Sequence, residues 1–298
     1  MLARGLTDPG FVRRLNHEYR KNGWWTRIAD DPDLFVAIRQ NYLNVYYRGA
    51  SLMMLTHQAG KLVGKSHFKY LVRNELDANA YISSIDGQFA LNDIGATGFL
   101  FDSYDHIEGM KRTASLYAGD EKKGVDAIRR ANKNVLDVEV AFASGNPLTV
   151  PGSKVPRVDL MAVAETSDGV ELVFVEAKLF NNKEVRSKGN APVPVLEQIQ
   201  RYERELQRQE TDILMAYHQA CENLRDLQGT GLDRQRDAAL TFLNARTRSV
   251  SKKVRLAVFG FDDDQKHGKR WEPHLKRLTD ALDPWLLIRG NPEGLTIR

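Results

Sequence analysis

Residues 171–180 read ELVFVEAKLF, a run with the apolar composition of a buried β-strand that also carries Glu176 and Lys178. The density of Val, Leu and Phe predicts a strand, and the run RVDLMAVAE, residues 157–165, predicts another strand just before it. A short Ser-Asp-Gly stretch separates the two runs. The sequence therefore predicts a β-hairpin whose second strand contains two charged residues.

The turn of this hairpin decides which charged residues lie opposite each other. A two-residue loop consists of residues 167–168 or of residues 168–169, and the second has the favoured Asp-Gly sequence. In the first register Asp159 lies opposite Glu176, and in the second it lies opposite Lys178. Opposite residues share a face, as do residues i and i+2, so both registers place the three charges within about 5–8 Å on one face.

Three charges on one face of a buried strand need compensation, because an uncompensated buried charge costs several kcal/mol. The other predicted residues of that face are apolar: Met161, Val163, Leu172 and Phe174. The set is either a structural ion pair or a cation site. Two carboxylates offer the hard oxygen ligands that Mg²⁺ prefers. A neighbouring lysine would stabilise charge on a phosphate or help orient and deprotonate a water, so the pattern favours phosphodiester hydrolysis.

An acidic residue on one strand, a turn and Glu-x-Lys on the next strand, between predicted helices, resembles the PD-(D/E)XK nuclease superfamily. The proline that usually precedes the first Asp is replaced by Val158. Gln198 and Tyr202 on the following helix resemble the QxxxY element of the RecB-type and lambda-exonuclease-type branch. Residues spaced i and i+4 share a helix face. The resemblance covers about residues 115–290.

The resemblance implies a role for each motif residue. The implied catalytic residues are Asp159, Glu176, Lys178, Gln198 and Tyr202, and the implied ligands of Mg²⁺ or Mn²⁺ are Asp159, Glu176, the Ala177 carbonyl and Glu121. Family members often carry a further acidic ligand on the helix before the first core strand, which favours Glu121, with Asp126 and Glu139 as rivals.

The implied activity is metal-dependent hydrolysis of DNA, with RNA as an open alternative, in antiviral genome defence or DNA processing. The alternative is a non-catalytic module that keeps the nuclease fold and binds nucleic acid or a protein partner.

Two basic segments predict contacts with a nucleic acid, because lysine and arginine bind phosphates. They contain Lys183, Arg186 and Lys188 after the Glu-x-Lys strand, and Arg246, Arg248, Lys252 and Lys253 in the run RTRSVSKKVR. A solvated loop is the alternative interpretation of the second segment. The acidic run at residues 262–264 is also expected to be a solvated loop.

The remaining pattern predicts two domains. Residues 1–110 are expected to form a small domain with an N-terminal helix and an antiparallel β-meander. Residues 111–298 are expected to form an α/β, restriction-endonuclease-like core with a central mixed sheet flanked by helices and a helical insertion at about residues 205–245. The aromatic run YLNVYYRG indicates either core packing or a nucleic-acid-binding sheet. This first domain is also the expected site of a protein partner or of homo-oligomerisation.

Composition sets the broad class of protein. Hydrophobic residues make up 42% and charged residues 28% of the 298, which is typical of a globular chain, and the net charge of +4 permits anionic partners. A single cysteine, Cys221, excludes an intramolecular disulfide framework and a zinc site built from thiolates. The chain has no apolar run of about 18 residues and no signal-peptide pattern at its start, so we expect a cytoplasmic protein that does not enter a membrane.

Overall fold

A computed structural model describes residues 2–71, 81–90, 101–142, 157–187, 189 and 191–298. In these residues the protein is an α/β structure with two β-sheets, one antiparallel and one mixed, flanked by helices. The predicted α/β class and the predicted mixed sheet are therefore confirmed.

The helices are α1 (Pro9–Tyr19), α2 (Trp24–Ala29), α3 (Ile107–Tyr117), α4 (Asp120–Ala131), α5 (Pro194–Arg208), α6 (Glu210–Asp226), α7 (Asp233–Asn244), α8 (Asp263–Lys266) and α9 (Glu272–Leu282). The strands are β1 (Phe35–Ile38), β2 (Leu43–Tyr47), β3 (Ala50–Gln58), β4 (Lys61–His67), β5 (Tyr81–Ile85), β6 (Gln88–Phe89), β7 (Val135–Ala141), β8 (Arg157–Glu165), β9 (Val170–Leu179), β10 (Arg248–Phe259) and β11 (Leu286–Ile288).

The chain forms two compact units. One consists of Met1–Ala3, Asp120–Ala216 and Thr241–Arg298, and the other of Arg4–Gly119 and Tyr217–Leu240. The second unit contains the six-stranded antiparallel sheet, with its strands in the order β1-β2-β3-β4-β5-β6. We call it the meander unit, and the other the mixed-sheet unit.

The boundary between the units differs from the predicted boundary at residue 110. Helix α3 belongs to the meander unit, where the Lys111 ammonium lies 2.6 Å from Asp31. Residues 217–240, expected as an insertion in the nuclease-like core, also belong to the meander unit. Asn223 accepts a hydrogen bond from the Leu6 amide at 2.7 Å, and the Gln235 side chain donates to the Val36 carbonyl at 2.9 Å. These contacts join residues that are distant in sequence, so no local sequence pattern predicts them.

In the meander unit the predicted antiparallel β-meander is present. Helix α1 begins at the predicted position, since the Asp8 side chain accepts a hydrogen bond from the Gly10 amide and Pro9 opens the helix. Tyr46 and Tyr47 of the aromatic run are both 8% exposed, so core packing accounts for these two rings.

The mixed-sheet unit contains five strands in the order β11-β10-β9-β8-β7. Strands β7, β8 and β9 are antiparallel neighbours, whereas β9, β10 and β11 are parallel. Helices α3 and α4 are separate, because Ala118 is extended and ends α3.

Helices α4 and α5 cover opposite faces of this sheet. Gly124 of α4 lies so close to the Phe259 ring that a Cβ added there would be 1.9 Å from a ring carbon. Gln198 of α5 contacts Glu176, and Glu176 pairs with Leu256 in β10, three residues before Phe259. Because side chains alternate between the two faces of a strand, Phe259 and Glu176 point to opposite faces.

Candidate functional site

The two predicted carboxylates lie where strands β8 and β9 separate. The backbone register of these strands runs from Glu165–Val170 to Leu160–Val175. Continued by one step, it places Asp159 opposite Glu176. The turn therefore consists of residues 167–168, the first of the two predicted registers, and it closes with a hydrogen bond from the Thr166 amide to the Gly169 carbonyl at 2.9 Å.

Beyond the last pair of backbone residues, Leu160 and Val175, a side-chain hydrogen bond joins the two strands. The Asp159 Oδ2 atom accepts a hydrogen bond from the Ala177 amide at 2.8 Å. Glu176 and Lys178 share one face of β9 by alternation, and their side chains are 2% and 9% exposed. The sheet thus brings together the three charges of the Glu-x-Lys pattern.

The two oxygens of Glu176 have different environments. Oε1 accepts hydrogen bonds from the Lys178 ammonium at 2.9 Å and from the Gln198 side chain at 3.0 Å. Oε2 is buried and has no hydrogen-bond partner among the described residues. A buried charged oxygen without a partner is unfavourable, so this atom favours binding a proton or a cation.

Lys178 contacts a second carboxylate that the sequence did not indicate. Its ammonium lies 2.8 Å from Glu184 Oε2, on the short 3₁₀ turn Lys183–Val185 that follows β9. The Glu184 side chain is 41% exposed, whereas that of Glu176 is buried. The lysine is therefore held between one buried and one solvent-accessible acid.

Gln198 and Tyr202 lie on the face of α5 directed at Glu176, as their spacing predicts. The Gln198 amide donates to Glu176 Oε1 and, at 2.5 Å, to the Tyr202 hydroxyl. The Tyr202 hydroxyl donates in turn to the Arg157 carbonyl at 2.6 Å. This chain of hydrogen bonds orients the amide and fastens α5 to the first residue of β8.

The side of β9 that faces β8, beyond the last paired residue Val175, places Glu121 near the Ala177 carbonyl. In an extended strand, the N–H and C=O of one residue point to the same side. Since the Ala177 amide points to Asp159, its carbonyl lies on the same side. The Leu179 amide, two residues later, donates to Glu121 Oε2 at 3.1 Å. Asp159 and Glu121 therefore flank the Ala177 carbonyl along this side.

Asn182 links Glu121 to the turn that carries Glu184. Its side-chain amide donates to Glu121 Oε2 at 2.7 Å, and its side-chain oxygen accepts from the Glu184 amide at 2.9 Å. Sequence reasoning missed both Asn182 and Glu184. The only local signal was an Asn two residues before a Glu at the end of a strand, which is typical of a side-chain-capped turn.

The two rivals of Glu121 have other partners. Asp126 is buried and forms ion pairs with Arg129 at 2.9 Å and Arg130 at 3.2 Å. Glu139 on β7 has a φ of 51°, and its carboxylate lies 3.2 Å from Arg157. Glu139 acts on the site through its charge, which contributes to the raised pKa of Asp159.

Burial controls the protonation of the two carboxylates. Burial, together with the Glu176 charge, raises the pKa of Asp159 well above its usual value. Burial also raises the pKa of Glu176 to about 7, although Lys178 opposes the change. For Lys178, burial alone would lower the pKa, but Glu176 and Glu184 outweigh burial and raise it. Burial followed by the Glu176 charge raises the pKa of Tyr202, which keeps its hydroxyl a donor.

The predicted basic residues are mostly not assembled around the carboxylates. Arg248 lies opposite Val170, six residues before Glu176 on β9, or about 20 Å away at ~3.3 Å per residue. Its guanidinium donates to the carbonyls of Phe242 and Leu243 at the end of α7. Arg246, which is exposed, precedes it in the chain.

The run from Arg248 onward is strand β10 and not a solvated loop, and its lysines have acidic partners. Lys252 pairs with Glu210, and Lys253 lies 3.3 Å from Glu203. Strand formation and these pairs account for the difference from the predicted polyanion-binding loop.

Two of the three basic residues after β9 lie in the described part of the chain. Arg186 stacks on the rings of Phe180 and Trp271 and donates to the Phe180 carbonyl at 3.0 Å. Lys183 is exposed on the 3₁₀ turn beside Glu184. Lys188 lies outside the described residues. Of the two described basic residues, Lys183 is therefore the exposed one, and it lies on the turn that carries Glu184.

The donor set at the end of β9 fits a divalent cation in its chemistry. It combines two carboxylates and a backbone carbonyl, which are oxygen ligands, with the buried, unpartnered Oε2 atom of Glu176. Within the described residues, no group of three or more His, Cys, Asp or Glu side chains is close enough to hold a metal ion. A metal there would therefore depend on two acidic side chains, the carbonyl and water.

Comparisons of the chain with protein-family models, with curated proteins and with solved structures give no match. Among the described helices, none has both the length and the apolar character needed to cross a membrane.

Proposed function

We propose that this protein is a metal-dependent deoxyribonuclease of the PD-(D/E)XK type, with a restriction-endonuclease-like core in its mixed-sheet unit. The observation that carries the proposal is the separation of β8 and β9, where Asp159 meets the Ala177 amide and Glu176 keeps a buried oxygen without a partner. A bare buried acceptor on a charged carboxylate is destabilising, so this atom favours a bound cation over a purely structural cluster. Its place of action is the cytoplasm, in genome defence or DNA processing.

The cation would be Mg²⁺ or Mn²⁺, held by Asp159, Glu176 and the Ala177 carbonyl, with Glu121 as a further carboxylate on the same side of β9. When bound, such an ion acts as a Lewis acid and lowers the pKa of a bound water. It would also compensate the two carboxylates, whose pKa values are raised in the protein alone. Glu176 Oε2 would then have the partner it otherwise lacks.

Lys178 is the residue that acts on the phosphate. Its contacts with two carboxylates raise its pKa, so it stays protonated at neutral pH. It therefore serves as a hydrogen-bond donor and a positive charge, and not as a base. A fixed cation beside the reacting phosphate stabilises the negative charge that develops there.

Gln198 and Tyr202 act as positioning residues. Gln198 keeps Glu176 Oε1 engaged, which leaves Oε2 for the cation, and Tyr202 holds the Gln198 amide in place. The tie from Tyr202 to the Arg157 carbonyl fixes α5 against the strand that carries Asp159.

The test is a cleavage assay on linear, circular and single-stranded DNA and on RNA, with Mg²⁺, Mn²⁺ or EDTA. We expect metal-dependent cleavage of DNA that Asp159→Asn and Glu176→Gln abolish. The matched controls are Asp168→Asn in the exposed hairpin turn and Glu171→Gln, which points to the other face of β9. Both should cleave like wild type. Calorimetric titration with Mn²⁺ gives a second readout that does not depend on turnover.

The alternative function is a binding module that retains the fold without catalysis. It predicts no cleavage with either metal, no Mn²⁺ binding and unchanged DNA binding in Glu176→Gln. Cleavage by the wild-type protein that persists in Glu176→Gln would contradict the proposed site and leave the activity without an explanation.

A further inference from the structure

Strands β4 and β5 of the meander unit share one solvent-exposed side that carries two lysines, and neither strand contains an acidic residue. Pairing of β4 with β5 places Lys65 opposite Ser83 and Val63 opposite Ile85. Side chains alternate along both strands, so the same side displays Lys61, Val63, Lys65, Tyr81, Ser83 and Ile85. We call these six residues the lysine face.

The lysine face exposes aromatic and apolar surface beside its charges. Tyr81 is 66% and Ile85 48% exposed, the former one of the most exposed large apolar side chains in the described chain. The Tyr81 ring packs edge-on against His67 at 5.2 Å between centroids. An exposed ring, that of Tyr81, therefore lies on the same side of the sheet as Lys61 and Lys65.

No acidic residue that the structure describes neutralises the charge of the lysine face. Lys61 and Lys65 form no ion pair with any described residue, and their neighbours on β3, the partly exposed Met54 and Thr56 and the exposed Gln58, are uncharged. Asp86, in the turn after β5, is already paired with Arg14 at 2.8 Å. The face therefore presents a net positive charge to a partner.

We propose that the lysine face binds a single-stranded nucleic acid. Phosphates pair with Lys61 and Lys65, which are about 13 Å apart along β4 at ~3.3 Å per residue, and a base stacks on Tyr81. A stacked base must be unpaired, because the bases of a duplex already stack on one another. This binding is a function additional to cleavage, and it does not rest on the proposed nuclease site.

Charge complementarity favours a polyanion over a second copy of this chain or an apolar protein surface. A second copy of the chain would bring lysine against lysine, and an apolar partner would bury two ammonium groups without counter-charge. A polyanion compensates both lysines and keeps the sheet face open for the rings. Aromatic stacking on a positively charged platform is also tolerant of sequence.

The experiment measures binding of fluorescein-labelled dT20 to the full-length chain by anisotropy, in EDTA and in the Glu176→Gln background, so that no strand is cut. The test variant is the double change Lys61→Glu/Lys65→Glu. The matched control is Arg13→Glu/Arg20→Glu, which has the same change in charge on one exposed residue of α1 and on the exposed residue that follows the helix. That helix packs on the opposite side of the sheet, since Phe11 stacks on His57 of β3.

We expect the Kd of the lysine double variant for dT20 to be at least ten times the Kd of the arginine control. The slope of log K against log salt concentration should become less steep by about 1.4. Each lost phosphate contact on a single strand contributes ~0.7 to this slope, and the variant loses two. Tyr81→Ala should raise the Kd about tenfold and Tyr81→Phe should restore it, because stacking needs the ring and not the hydroxyl. Thermal melts confirm that each variant is folded.

Three results would overturn the inference: no dT20 binding by the starting protein, equal losses in the lysine and arginine doubles, or wild-type affinity in Tyr81→Ala. A hairpin duplex is the comparison ligand. Equal weakening for the duplex and dT20 would show that the face holds phosphates without reading unpaired bases, which also contradicts the proposal. Absence of metal-dependent cleavage would leave this test intact, and its failure would leave the cleavage assay intact.

Discussion

Two lysines are buried in the part of the chain that the structure describes, one in each unit, and their surroundings differ in one respect. Lys111 and Lys178 are both 9% exposed, and each lies within 3.0 Å of two carboxylates. Around Lys111, both oxygens of the buried Asp31 are engaged, one with the ammonium and one with the Asp33 amide. Around Lys178, the buried Glu176 uses one oxygen twice and leaves the other without a partner in the described structure.

The difference separates a structural ion pair from a site that needs a ligand. Asp31 and Lys111 satisfy each other, so that cluster stabilises the meander unit as it stands. Burial and the Glu176 charge disfavour the charged form of Asp159 and raise its pKa. Burial, with contributions from the Glu184 and Glu121 charges, raises the pKa of Glu176 although Lys178 opposes the change. A carboxylate pair that is unfavourable in the protein alone is a natural place to bind a cation.

The largest expected effect is on stability, in Lys111→Ala. Removing the ammonium leaves the Asp31 carboxylate, 10% exposed, without its counter-charge, and breaking a buried pair costs about 3–5 kcal/mol. Urea unfolding measures the loss. Lys21→Ala is the control, because Lys21 is 48% exposed in its pair with Glu18 and should cost at most about 1 kcal/mol. Equal, small losses in both variants would remove the structural role given to Lys111.

The next effect is on activity, in Lys178→Ala. If this lysine stabilises developing charge, its loss should lower the cleavage rate about 10²–10³-fold, the usual cost of one preorganised donor. With Mg²⁺ bound, DNA binding and melting temperature should change little, because the cation already compensates Asp159 and Glu176. Single-turnover cleavage and thermal melts with and without Mg²⁺ measure both. A rate equal to that of wild type would contradict the mechanism, and a metal-independent loss of folding would make Lys178 a structural residue like Lys111.

The two clusters should also respond to pH in different ranges. The pKa of Glu176 is raised from 4.5 to about 7, so between these values the folded protein keeps a proton that the unfolded chain loses. Stability must therefore fall as pH rises through this range. The pKa of Lys111 is also raised, since its carboxylate partners outweigh burial. Its contribution is lost only above the ordinary lysine pKa.

The measurement is urea unfolding in EDTA at pH 5 and pH 7.5. We expect the free energy of unfolding to increase toward pH 5 more in wild type than in Glu176→Gln. Adding Mg²⁺ at pH 7.5 should recover part of the difference in wild type alone. Identical pH profiles for the two proteins would show that Glu176 does not titrate in this range.

The hairpin at the site shows how far the sequence could predict this structure. Strand alternation alone placed Asp159, Glu176 and Lys178 on one face, whichever turn formed. The choice of turn needed a tertiary contact: a Cβ on Gly169 would lie 2.2 Å from the Thr247 carbonyl, which accepts a hydrogen bond from the Val170 amide. Residues just before β10 thus hold the turn, and no local pattern encodes that contact.

The failures have the same origin. The basic run that begins at Arg246 was interpreted as a phosphate-binding loop because it is rich in charge. Its residues instead enter a strand whose lysines meet acids of α5 and α6. The sequence did not indicate Glu184, because its position beside Lys178 depends on how the turn after β9 folds back. The sequence placed charged residues on the observed face where strand alternation fixed the direction of the side chain. It placed them less well where that direction depends on a partner residue from another element.

The smallest expected effect sharpens the comparison at the hydrogen bonds that orient Glu176. Tyr202→Phe removes the hydroxyl that receives the Gln198 amide and donates to the Arg157 carbonyl, while the buried ring remains. Each of these two bonds contributes about 0.5–1.5 kcal/mol, so the free energy of unfolding should fall by about 1–3 kcal/mol. If Tyr202 positions Gln198 for the site, the loss in cleavage rate, expressed as a free energy, should exceed the loss in the free energy of unfolding. Mn²⁺ binding should weaken as well. Tyr217→Phe, a fully buried tyrosine of the meander unit, is the control for a purely structural change. A Tyr202→Phe protein with wild-type cleavage and metal affinity would reduce Tyr202 to packing, and Gln198 would then be oriented by Glu176 alone.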